Sequence, residues 1–440
     1  MREQLDFVDC QGLAGAWSLG TVATGAFKLV HRASLPGGFG DDVMELNRTF
    51  FGPQWAQEVG TAAEWTPQNG VAYMSGTPPC SGFSVMNQSK KENARGPESN
   101  INNCMKELIA YAGRCRGADG LPGPEVVSFE SVQGAFNQGR VLMQWLRNDL
   151  EERTGEKYDL THVKMSGSSV GAAQMRHRYY PVFHRVPFGA ERPAPRRVVT
   201  YQEAIGDLVG LEITPDEQPY GDIMPSDWAL RKVRTDGAVD WHAAIGEDDR
   251  LGELLIESAA EHGWRAGEGF TELMARLPEP PEALKRRFPS AMRDWPDLRG
   301  WNWPRRIHPG RPGFVITGSG ATQFVHWSEP RLLTMRELTR LMGYPDDWEW
   351  PVTRLTHIGG YIGKCCPVDS GQWLSEQVAR SLEDPTLGHA EKVDHEEIGP
   401  FEYLFDCTLD YRRWDRRVSG FIPSPEWGKT LRKEWNNGST

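Results

Sequence analysis

The chain has 440 residues, of which 39% are hydrophobic and 25% are charged, and its net charge is −11. This composition predicts a soluble globular protein of two or three structural units and excludes a secreted or collagenous chain. A run of about 18 apolar residues is absent, which excludes a membrane-spanning helix.

Strands and helices alternate along the first 190 residues. Short apolar runs at 5–9, 27–31 and 70–76 predict strands, and a glycine-rich turn followed by a helix separates the first two. The later elements are a strand over 124–132 that ends near Glu130, a helix over 139–155, a strand over 159–169 and an arginine-bearing segment over 174–186. The alternation predicts an α/β domain with a mostly parallel sheet.

The second half of the chain is less regular. Residues 191–330 are rich in Pro, Gly, Trp and charge, with poor periodicity, and predict a smaller irregular domain. Residues 331–348 predict a helix that Pro345 ends, and 357–382 predict a turn and a second helix. The polar remainder, 383–440, is predicted to be a C-terminal extension.

A local basic stretch lies within this irregular region. Residues 281–313 carry eight basic and three acidic residues in a chain that is acidic overall, and Trp301 and Trp303 lie among them. A surface for phosphates and bases is one interpretation, and a solvated loop with buried tryptophans is the other. Composition alone favours the solvated loop.

The seven cysteines are an odd number without a C-x-x-C pair. This pattern fits neither a disulfide framework nor a zinc site, so we expect reduced thiols in a cytoplasmic protein and no bound metal. The polar N-terminus, which turns directly into a strand-like run, does not have the pattern of a signal peptide.

Cys80 lies in the segment GTPPCSGFS (76–84), directly after a predicted strand. A thiol there is exposed at the carboxyl edge of the sheet, where α/β proteins have their active sites. Two prolines and two glycines fix the loop, which a buried structural cysteine does not need. A small apolar filler is the alternative for Cys80 taken alone.

Six segments occur in a characteristic order: FVDCQGLAGAWSLG (7–20), TPPC (77–80), FESVQG (129–134), QMRHR (174–178), RLLTMRE (331–337) and GGYIGKCCPV (359–368). The series resembles the DNA cytosine-5 methyltransferase family over about 1–190 and 314–380. The resemblance implies a Rossmann-like, S-adenosylmethionine-dependent methyltransferase fold. It makes 1–190 the catalytic and cofactor-binding domain, 191–330 a target-recognition domain and 331–382 a segment that completes the catalytic domain.

The resemblance also assigns catalytic residues. Cys80 matches the thiolate that adds to carbon 6 of cytosine and so activates carbon 5, and Glu130 matches the carboxyl that protonates ring nitrogen 3. Arg176 and Arg178 match a pair of which one lies near the base and the other braces the glutamate, in an order that stays open. Taken alone, Glu130 could be a surface carboxylate and the arginines a salt-bridged strand exit. Ser131 departs from the asparagine usual in the family.

Double-stranded DNA is the implied partner, and the target base must be flipped out of the stack to reach Cys80. The resemblance raises the phosphate-contact interpretation of the basic stretch above its alternative. The residues predicted to contact DNA are Gln174, Arg299, Arg305 and Arg306. Arg336 and Glu337 match a pair that supports the DNA-facing region, and we interpret them as structural.

The implied cofactor-binding residues are Asp9, Gln11, Gly12, Gly15, Pro79, Gly363 and Lys364. Several positions depart from the family. Gln11 replaces an aromatic residue, and Leu13 and Ala16 replace glycines. Ala33 stands where the family has an acid for the ribose hydroxyls, so that contact is missing or comes from elsewhere.

Lys364 replaces an asparagine that lies beside the reactive end of the cofactor in the family. An ammonium there would repel the sulfonium of S-adenosylmethionine by about 1–4 kcal/mol. Lys364 is therefore neutral through burial, turned to solvent, or paired with a negative charge on the cofactor. Carboxy-S-adenosylmethionine carries such a carboxylate, which Gln11 could also bind, and its product would be 5-carboxymethylcytosine.

Alternative functions stay open. A tRNA cytosine methyltransferase is one, although the long region between the QMRHR and RLLTMRE segments favours DNA. An inactive nucleic-acid-binding regulator is another, because the cofactor loop is altered, but the presence of Cys80, Glu130 and both arginines argues against it. We expect a monomer in the cytoplasm of a bacterial or phage-infected cell, with or without a restriction partner.

Overall fold

The computed structural model describes residues 3–36, 43, 45, 56–84, 95–190, 199–211, 305–317, 324–328, 333–350, 361–384, 386 and 402–407. The chain divides into two compact units. The first, here called the sheet unit, consists of residues 1–197, 342–344 and 365–409, and the second unit consists of 198–341, 345–364 and 410–440.

A sheet of eight strands, counted over the described residues, forms the centre of the sheet unit. Its strands are β1 (Leu5–Cys10), β2 (Phe27–Ser34), β3 (Glu58–Val59), β4 (Val71–Gly76), β5 (Val126–Ser128), β6 (Asp159–Ser166), β7 (His177–His184) and β10 (Glu402–Cys407). The spatial order is β10-β6-β7-β5-β4-β1-β2-β3, and β7 alone runs antiparallel to its neighbours among these strands. The predicted mostly parallel α/β sheet is confirmed.

Five helices of the described residues belong to this unit. They are α1 (Ala16–Ala23), α2 (Asn103–Ala112), α3 (Gln133–Gln138), α4 (Arg140–Thr154) and α7 (Val368–Glu383). Within the described part of the chain, the helices are too short or too polar to cross a membrane.

Different helices cover the two sides of the central strand β1. Val8 and Cys10 are buried in a core that includes residues of α2 and α4. Because side chains alternate along a strand, Asp9 points to the other side. There Ser18 of α1 donates a hydrogen bond to the Asp9 carboxylate. The sequence of β1 therefore separates an apolar side from a side that holds a buried charge.

Small residues let α1 and α7 approach each other closely. A Cβ atom on Gly20 would lie 2.3 Å from the carbonyl oxygen of Val368, so only glycine fits at this contact. At the next residue of α1, the hydroxyl oxygens of Thr21 and Ser375 are 2.8 Å apart and share a hydrogen bond. This packing ties the C-terminal helix to the helix that follows β1.

The sheet brings three loops to one edge. β4 lies between β1 and β5, and all three strands are parallel. The loops that follow them, 11–15, 77–80 and 129–132, therefore leave the sheet at the same carboxyl edge. These loops contain Cys80 and Glu130, which the sequence predicted to be functional.

Several predicted elements differ from the observed ones. The strand predicted over 124–132 is limited to β5, so Glu130 follows the strand at a distance of two residues. The helix predicted over 331–348 spans only Met335–Leu341, which we call α6, and Gly343 follows it with φ of 81°. Because glycine adopts this conformation readily, the chain turns before Pro345.

The C-terminal part also differs from the prediction. Residues 402–407 were predicted to be part of an extension, but they form β10, which pairs in parallel with β6 at the edge of the sheet. The segment 331–382, which was predicted to complete the catalytic domain, is shared between the two units. Residues 342–344 and 365–409 group with the sheet unit, and 345–364 group with the second unit.

The second unit contains α5 (Tyr201–Ile205), α6 and a parallel pair of short strands, β8 (Arg305–Arg306) and β9 (Phe324–Val325). Glu337 in α6 accepts a hydrogen bond from the backbone N–H of Thr334 at 2.8 Å, and its own N–H donates to the Thr334 hydroxyl at 3.2 Å. Arg336 bonds to Asp346 at 3.1 Å. These contacts give Arg336 and Glu337 a structural role, as we interpreted them from the sequence.

We predict that Phe405→Ala lowers the free energy of unfolding by about 3 kcal/mol, because truncating a buried aromatic side chain leaves a cavity. Phe405 of β10 is 8% exposed and its ring stacks on Trp373 of α7 at 5.8 Å. Urea denaturation followed by tryptophan fluorescence measures the loss.

Asp406→Asn on the same strand is the matched control. Its partner Lys164 lies at 2.7 Å in a partly exposed ion pair, so the loss should stay below about 1 kcal/mol. Equal losses for the two variants would show that β10 is not packed on the sheet as described.

Candidate functional site

Cys80 lies where β4 leaves the sheet. It precedes a short turn of 3-10 helix, Ser81–Phe83, and its carbonyl oxygen accepts a hydrogen bond from the N–H of Phe83 at 3.1 Å. Cys80 is half-buried, and the backbone N–H of Val132 donates to its sulfur. Pro79, predicted to bind the cofactor, is exposed. The thiol is thus fixed at the carboxyl edge by backbone bonds on both sides.

Glu130 lies beside Cys80, after the neighbouring strand. Its N–H donates to the carbonyl oxygen of Gly76 at 2.9 Å, which ties the end of β5 to the end of β4. The Glu130 side chain is 1% exposed, and its Oε1 accepts a hydrogen bond from Nε of Arg178. A buried carboxylate without such a partner would be strongly destabilising.

Strand β7 brings Arg178 to Glu130. Ser131 and Tyr179 exchange two backbone hydrogen bonds, of 2.8 and 2.9 Å, in an antiparallel bridge. In this register Glu130 and Arg178 are diagonal neighbours, within reach of the long arginine side chain. The antiparallel direction of β7 is what allows a residue near its start to reach the end of β5.

The geometry shows which of the two arginines contacts Glu130, a question that the sequence left open. Arg178 is the one that bonds to Glu130. Arg176 is 2% exposed, and burial together with the charge of Arg178 lowers its pKa to about 10. Glu130 and Cys80 oppose this shift, so Arg176 lies within electrostatic range of both.

The charges around Cys80 act in opposite directions on its thiol. Burial and the Glu130 carboxylate raise the pKa of Cys80 to about 11. The guanidinium groups of Arg178 and Arg176 lower it. The sum leaves the thiol protonated at neutral pH, so nucleophilic chemistry at this site requires removal of a proton.

The loop after β1 adopts an unusual backbone conformation. Gln11 and Leu13 have φ of 58° and 49°, in the left-handed region that non-glycine residues rarely adopt. Gly15 has φ of 78° and precedes α1, and its N–H donates to the carbonyl oxygen of Gly12 at 2.9 Å. Backbone outliers of this kind concentrate at ligand-binding loops.

Asp9 lies inside the protein next to this loop. Its carboxylate is fully buried and accepts hydrogen bonds from the Ser18 hydroxyl and from Nε of Arg32, the latter at 3.2 Å. Burial raises the pKa of Asp9, and Arg32 and Ser18 oppose the rise. A Cβ on Gly12 would lie 1.9 Å from the carboxylate. Asp9 therefore contacts the loop from inside the protein, and its binding to the cofactor stays a prediction.

The Gln11 side chain turns toward α2. Its amide nitrogen donates to the carbonyl oxygen of Cys104 at 2.8 Å. Among the residues that the structure describes, its amide oxygen is buried and has no hydrogen-bond partner. An orphaned acceptor in this loop fits a ligand with a hydrogen-bond donor.

Ala33 is buried on β2 and its carbonyl oxygen accepts a hydrogen bond from the N–H of Gln11 at 2.6 Å. The neighbouring acid, Glu58 of β3, pairs with Ala33 in the sheet. Its carboxylate accepts a hydrogen bond from the N–H of Thr66 at 2.8 Å and forms an ion pair with His31 at 3.1 Å. The carboxylate that the family uses for ribose is thus not replaced at this position.

Gly363 and Lys364 belong to the second unit and directly precede Cys365 of the sheet unit. Gly363 is buried, whereas Lys364 is exposed. Exposure removes the explanation in which burial makes Lys364 neutral, because desolvation requires loss of solvent contact. Cys365 and Cys366 are buried, as expected of packing residues.

The residues predicted to contact DNA differ in how the structure describes them. Gln174 is fully buried and its amide donates to the sulfur of Met342 at 2.7 Å, and its contact with DNA stays a prediction. Arg305 and Arg306 form β8, but their side chains are outside the described part of the structure. Arg299 lies outside the described residues altogether.

Within the described ranges, no group of three or more His, Cys, Asp or Glu side chains could hold a metal ion.

A model of the family of C-5 cytosine-specific DNA methylases matches residues 64–380, which is more than half of the chain. The chain belongs to this family. The methylase family acts on DNA and takes its methyl group from S-adenosylmethionine. The series of segments that predicted the family from sequence is therefore confirmed.

Bacterial methyltransferases are similar to this methylase over different lengths. Type II methyltransferase M1.HgaI of Avibacterium volantium is 22% identical over 322 residues, which cover 71% of this chain and 79% of that protein. Type II methyltransferase M.BbvI of Brevibacillus brevis is 36% identical over 99 residues, which cover 21% of this chain and 26% of that protein.

Two solved structures share the fold of this methylase. A prophage-encoded E. coli protein assigned as a DNA modification methyltransferase aligns with a TM-score of 0.53 at 17% identity, covering 87% of this chain and all of that one. The Entamoeba histolytica methyltransferase EhMeth aligns with a TM-score of 0.51 at 9% identity, with the same coverage of both chains.

Sequence reasoning missed three contributors to the site of this methylase. Arg32 and Ser18 hold Asp9, and the carbonyl oxygen of Cys104 holds Gln11. Arg32 sits one residue before Ala33, at the position paired with Asp9 across β1 and β2. A cation at the end of the predicted strand 27–31 was the available signal, but its partner became identifiable only from strand register.

We predict that iodoacetamide modifies Cys80 slowly at neutral pH and faster as the pH approaches about 11. The thiolate is the reacting species, and burial and Glu130 disfavour it. Glu130→Gln removes a negative charge and should move the midpoint to lower pH by on the order of one unit. Mass spectrometry of the Cys80 peptide across the pH series measures the profile.

Glu64→Gln is the control, since Glu64 is exposed and bonds to Thr61 within its own turn at 2.8 Å. It should leave the Cys80 profile unchanged. An unchanged or higher midpoint in the Glu130→Gln protein would contradict the electrostatic coupling of these two groups.

Proposed function

We propose that this methylase transfers a methyl or carboxymethyl group to carbon 5 of a cytosine in double-stranded DNA, with Cys80 as the nucleophile. The observation that supports it is the arrangement of Cys80 beside a buried Glu130 that Arg178 braces. A half-buried thiol, a carboxyl and two guanidinium groups at one sheet edge match the needs of a pyrimidine ring that must be held, attacked and protonated.

Cys80 starts the reaction. Its sulfur loses a proton to water and forms a bond to carbon 6, and the electron pairs of the ring double bonds move toward ring nitrogen 3. The Glu130 carboxyl takes up a proton from water and gives it to that nitrogen, and the enamine that results has a nucleophilic carbon 5. After carbon 5 has gained its substituent, a base removes the remaining proton of carbon 5, the Cys80 thiolate leaves carbon 6, and the proton on nitrogen 3 returns to Glu130, which restores the aromatic ring.

The two arginines have different proposed roles in this reaction. Arg178 holds the Glu130 carboxyl in place through its Nε hydrogen bond. Arg176, buried and within electrostatic range of Cys80, stabilises the thiolate and the negative charge that develops on the ring. The Cys80 proton leaves more easily when a ring occupies the site and shares the charge.

The substrate must enter the site as a flipped base. Carbon 6 of a stacked cytosine is inaccessible, so the nucleotide rotates out of the duplex into the space beside Cys80. Arg299, Arg305 and Arg306 in the basic stretch are the groups we propose for the phosphate backbone, since neutralised phosphates supply much of the affinity for DNA.

The loop after β1 is the proposed place for the donor. Gln11 offers its orphaned amide oxygen, and Gly12 and Gly15 leave the backbone open to close approach. Pro79, which follows β4 at the same carboxyl edge, is proposed to line the same place, as the family resemblance implies. S-adenosylmethionine, when bound, supplies an electrophilic methyl group.

A carboxylated donor, carboxy-S-adenosylmethionine, is the second candidate, and the replacement of the family's asparagine by Lys364 is what supports it. A lysine ammonium near the reactive end of the donor would gain an ion pair from a carboxylate, whereas it would repel a plain sulfonium. Gln11 does not add to this argument, because its amide nitrogen is engaged by Cys104 and its oxygen would repel a carboxylate.

We predict that Cys80→Ser lowers the rate of base modification by on the order of 10³-fold or more, because the covalent step is lost. The assay incubates duplex DNA with S-adenosylmethionine and quantifies 5-methyl-2′-deoxycytidine by mass spectrometry after digestion to nucleosides. Cys115→Ala, which changes a buried thiol in the core, should retain activity.

Equal rates for Cys80→Ser and the parent would overturn the assignment of the nucleophile. A modified base in tRNA but not in duplex DNA would replace the DNA substrate with RNA. Binding of DNA without modification from any donor would indicate a regulator.

We predict that Lys364→Asn shifts donor preference toward S-adenosylmethionine by about tenfold, which corresponds to about 1.4 kcal/mol of removed repulsion or pairing. The measurement compares 5-methyl- and 5-carboxymethyl-2′-deoxycytidine formed when the two donors compete. Lys157→Asn, at an exposed surface pair with Glu151, is the control. An unchanged product ratio in the Lys364→Asn protein would refute the charge-pairing argument.

A further inference from the structure

A buried ion pair lies directly beneath the loop after β1. Nε of Arg32 is 3.2 Å from Oδ2 of Asp9, and both side chains are fully excluded from solvent. The two residues are register partners on neighbouring parallel strands. Burying two charges is unfavourable unless they are closely paired, and replacing such pairs by apolar residues is often neutral or stabilising. Stability alone therefore gives little reason for this pair.

The pair is connected to the loop through backbone and side-chain contacts. Nη2 of Arg32 lies 3.4 Å from the carbonyl oxygen of Leu13, which has positive φ. The carboxylate of Asp9 is enclosed by Gly12, where a Cβ would lie 1.9 Å away, and by the hydroxyl of Ser18. Each end of the ion pair thus contacts the strained loop or the helix that follows it.

The strained backbone of this loop requires contacts that hold its conformation. Residues at positive φ relax to ordinary conformations unless the surrounding structure holds them. The N–H of Gln11 is fixed by Ala33 at 2.6 Å, and Gly15 closes the turn onto Gly12 at 2.9 Å. Between these two fixed points, Arg32 is the side chain that reaches Leu13.

We propose that the Asp9–Arg32 ion pair is a clamp that holds residues 11–15 in the conformation that binds the donor, with Arg32 as a positioning residue. This inference rests on the proposed function, in which the loop is the donor site. In this role Arg32 acts through the backbone of Leu13, and the fully buried guanidinium does not itself contact the donor.

The structure provides a matched control for the clamp. Lys28 and Asp6 form an ion pair between the same two strands, at 3.0 Å and with the same register relation, at the opposite ends of the strands from the loop. This pair is partly exposed. Lys28→Met therefore removes a cross-strand ion pair without touching the loop.

The experiment measures binding of S-adenosylmethionine to the purified full-length protein by isothermal titration calorimetry. Arg32→Met should weaken binding by about tenfold or more, and Lys28→Met should leave it within about twofold of the parent. Affinity for duplex DNA, measured by fluorescence anisotropy, should be the same for all three proteins.

A double variant separates positioning from stability. Arg32→Met alone leaves the buried Asp9 charge without its partner and should lower the melting temperature. In Asp9→Asn/Arg32→Met the uncompensated charge is gone, so the melting temperature should recover. Donor affinity should stay weak, because the contact with Leu13 is still missing. Arg32→Lys, which keeps the charge without the guanidinium fork, should retain more stability than affinity.

Recovery of donor affinity together with the melting temperature in the double variant would overturn the clamp in favour of a structural role. Equal affinity in the parent and Arg32→Met proteins would also overturn it, whatever the transfer assay shows. A parent protein that binds the donor but modifies no base would refute the proposed transfer while leaving the clamp in place. A parent that binds no donor would refute both.

Discussion

The antiparallel insertion of β7 between β5 and β6 is the constraint on which the site depends. In a purely parallel sheet, a residue at the start of a neighbouring strand would lie at the opposite edge from Glu130. Because β7 runs the other way, its first residues arrive at the carboxyl edge, and the bridge between Ser131 and Tyr179 places Arg178 diagonally across from Glu130. The parallel order of β1, β4 and β5 then adds the loop after β1 and Cys80 to the same edge.

Two ion pairs lie at this edge of the sheet and contact different parts of the site. The pair of Glu130 and Arg178 lies near Cys80, and its two charges act in opposite directions on the thiol, whose pKa is raised to about 11. The pair of Asp9 and Arg32 faces the other side of β1 and supports a backbone loop. In both cases, one charge would be unstable without the other, so each pair fixes a geometry as well as a charge.

The edges of the sheet unit are completed by segments far apart in sequence. α7 packs on α1 through Gly20 and shares a hydrogen bond between Ser375 and Thr21, and β10 extends the sheet beyond β6. The long intervening region, 198–341 and 345–364, forms the second unit. The sheet unit is therefore assembled from segments that are interrupted along the chain, and α7 and β10 return to the sheet after the interruption.

The sequence by itself determined the family, the mostly parallel sheet and the positions of Cys80 and Glu130, because strand-ending motifs are local and carry their chemistry with them. Tertiary structure decided which arginine braces Glu130, that Asp9 is a buried support, and that Gln174 packs inside. These outcomes depend on strand register, which pairs residues more than 20 positions apart, as with Asp9 and Arg32. The placement of β10 had the same cause, since an edge strand is stabilised by a neighbour that its own sequence does not identify.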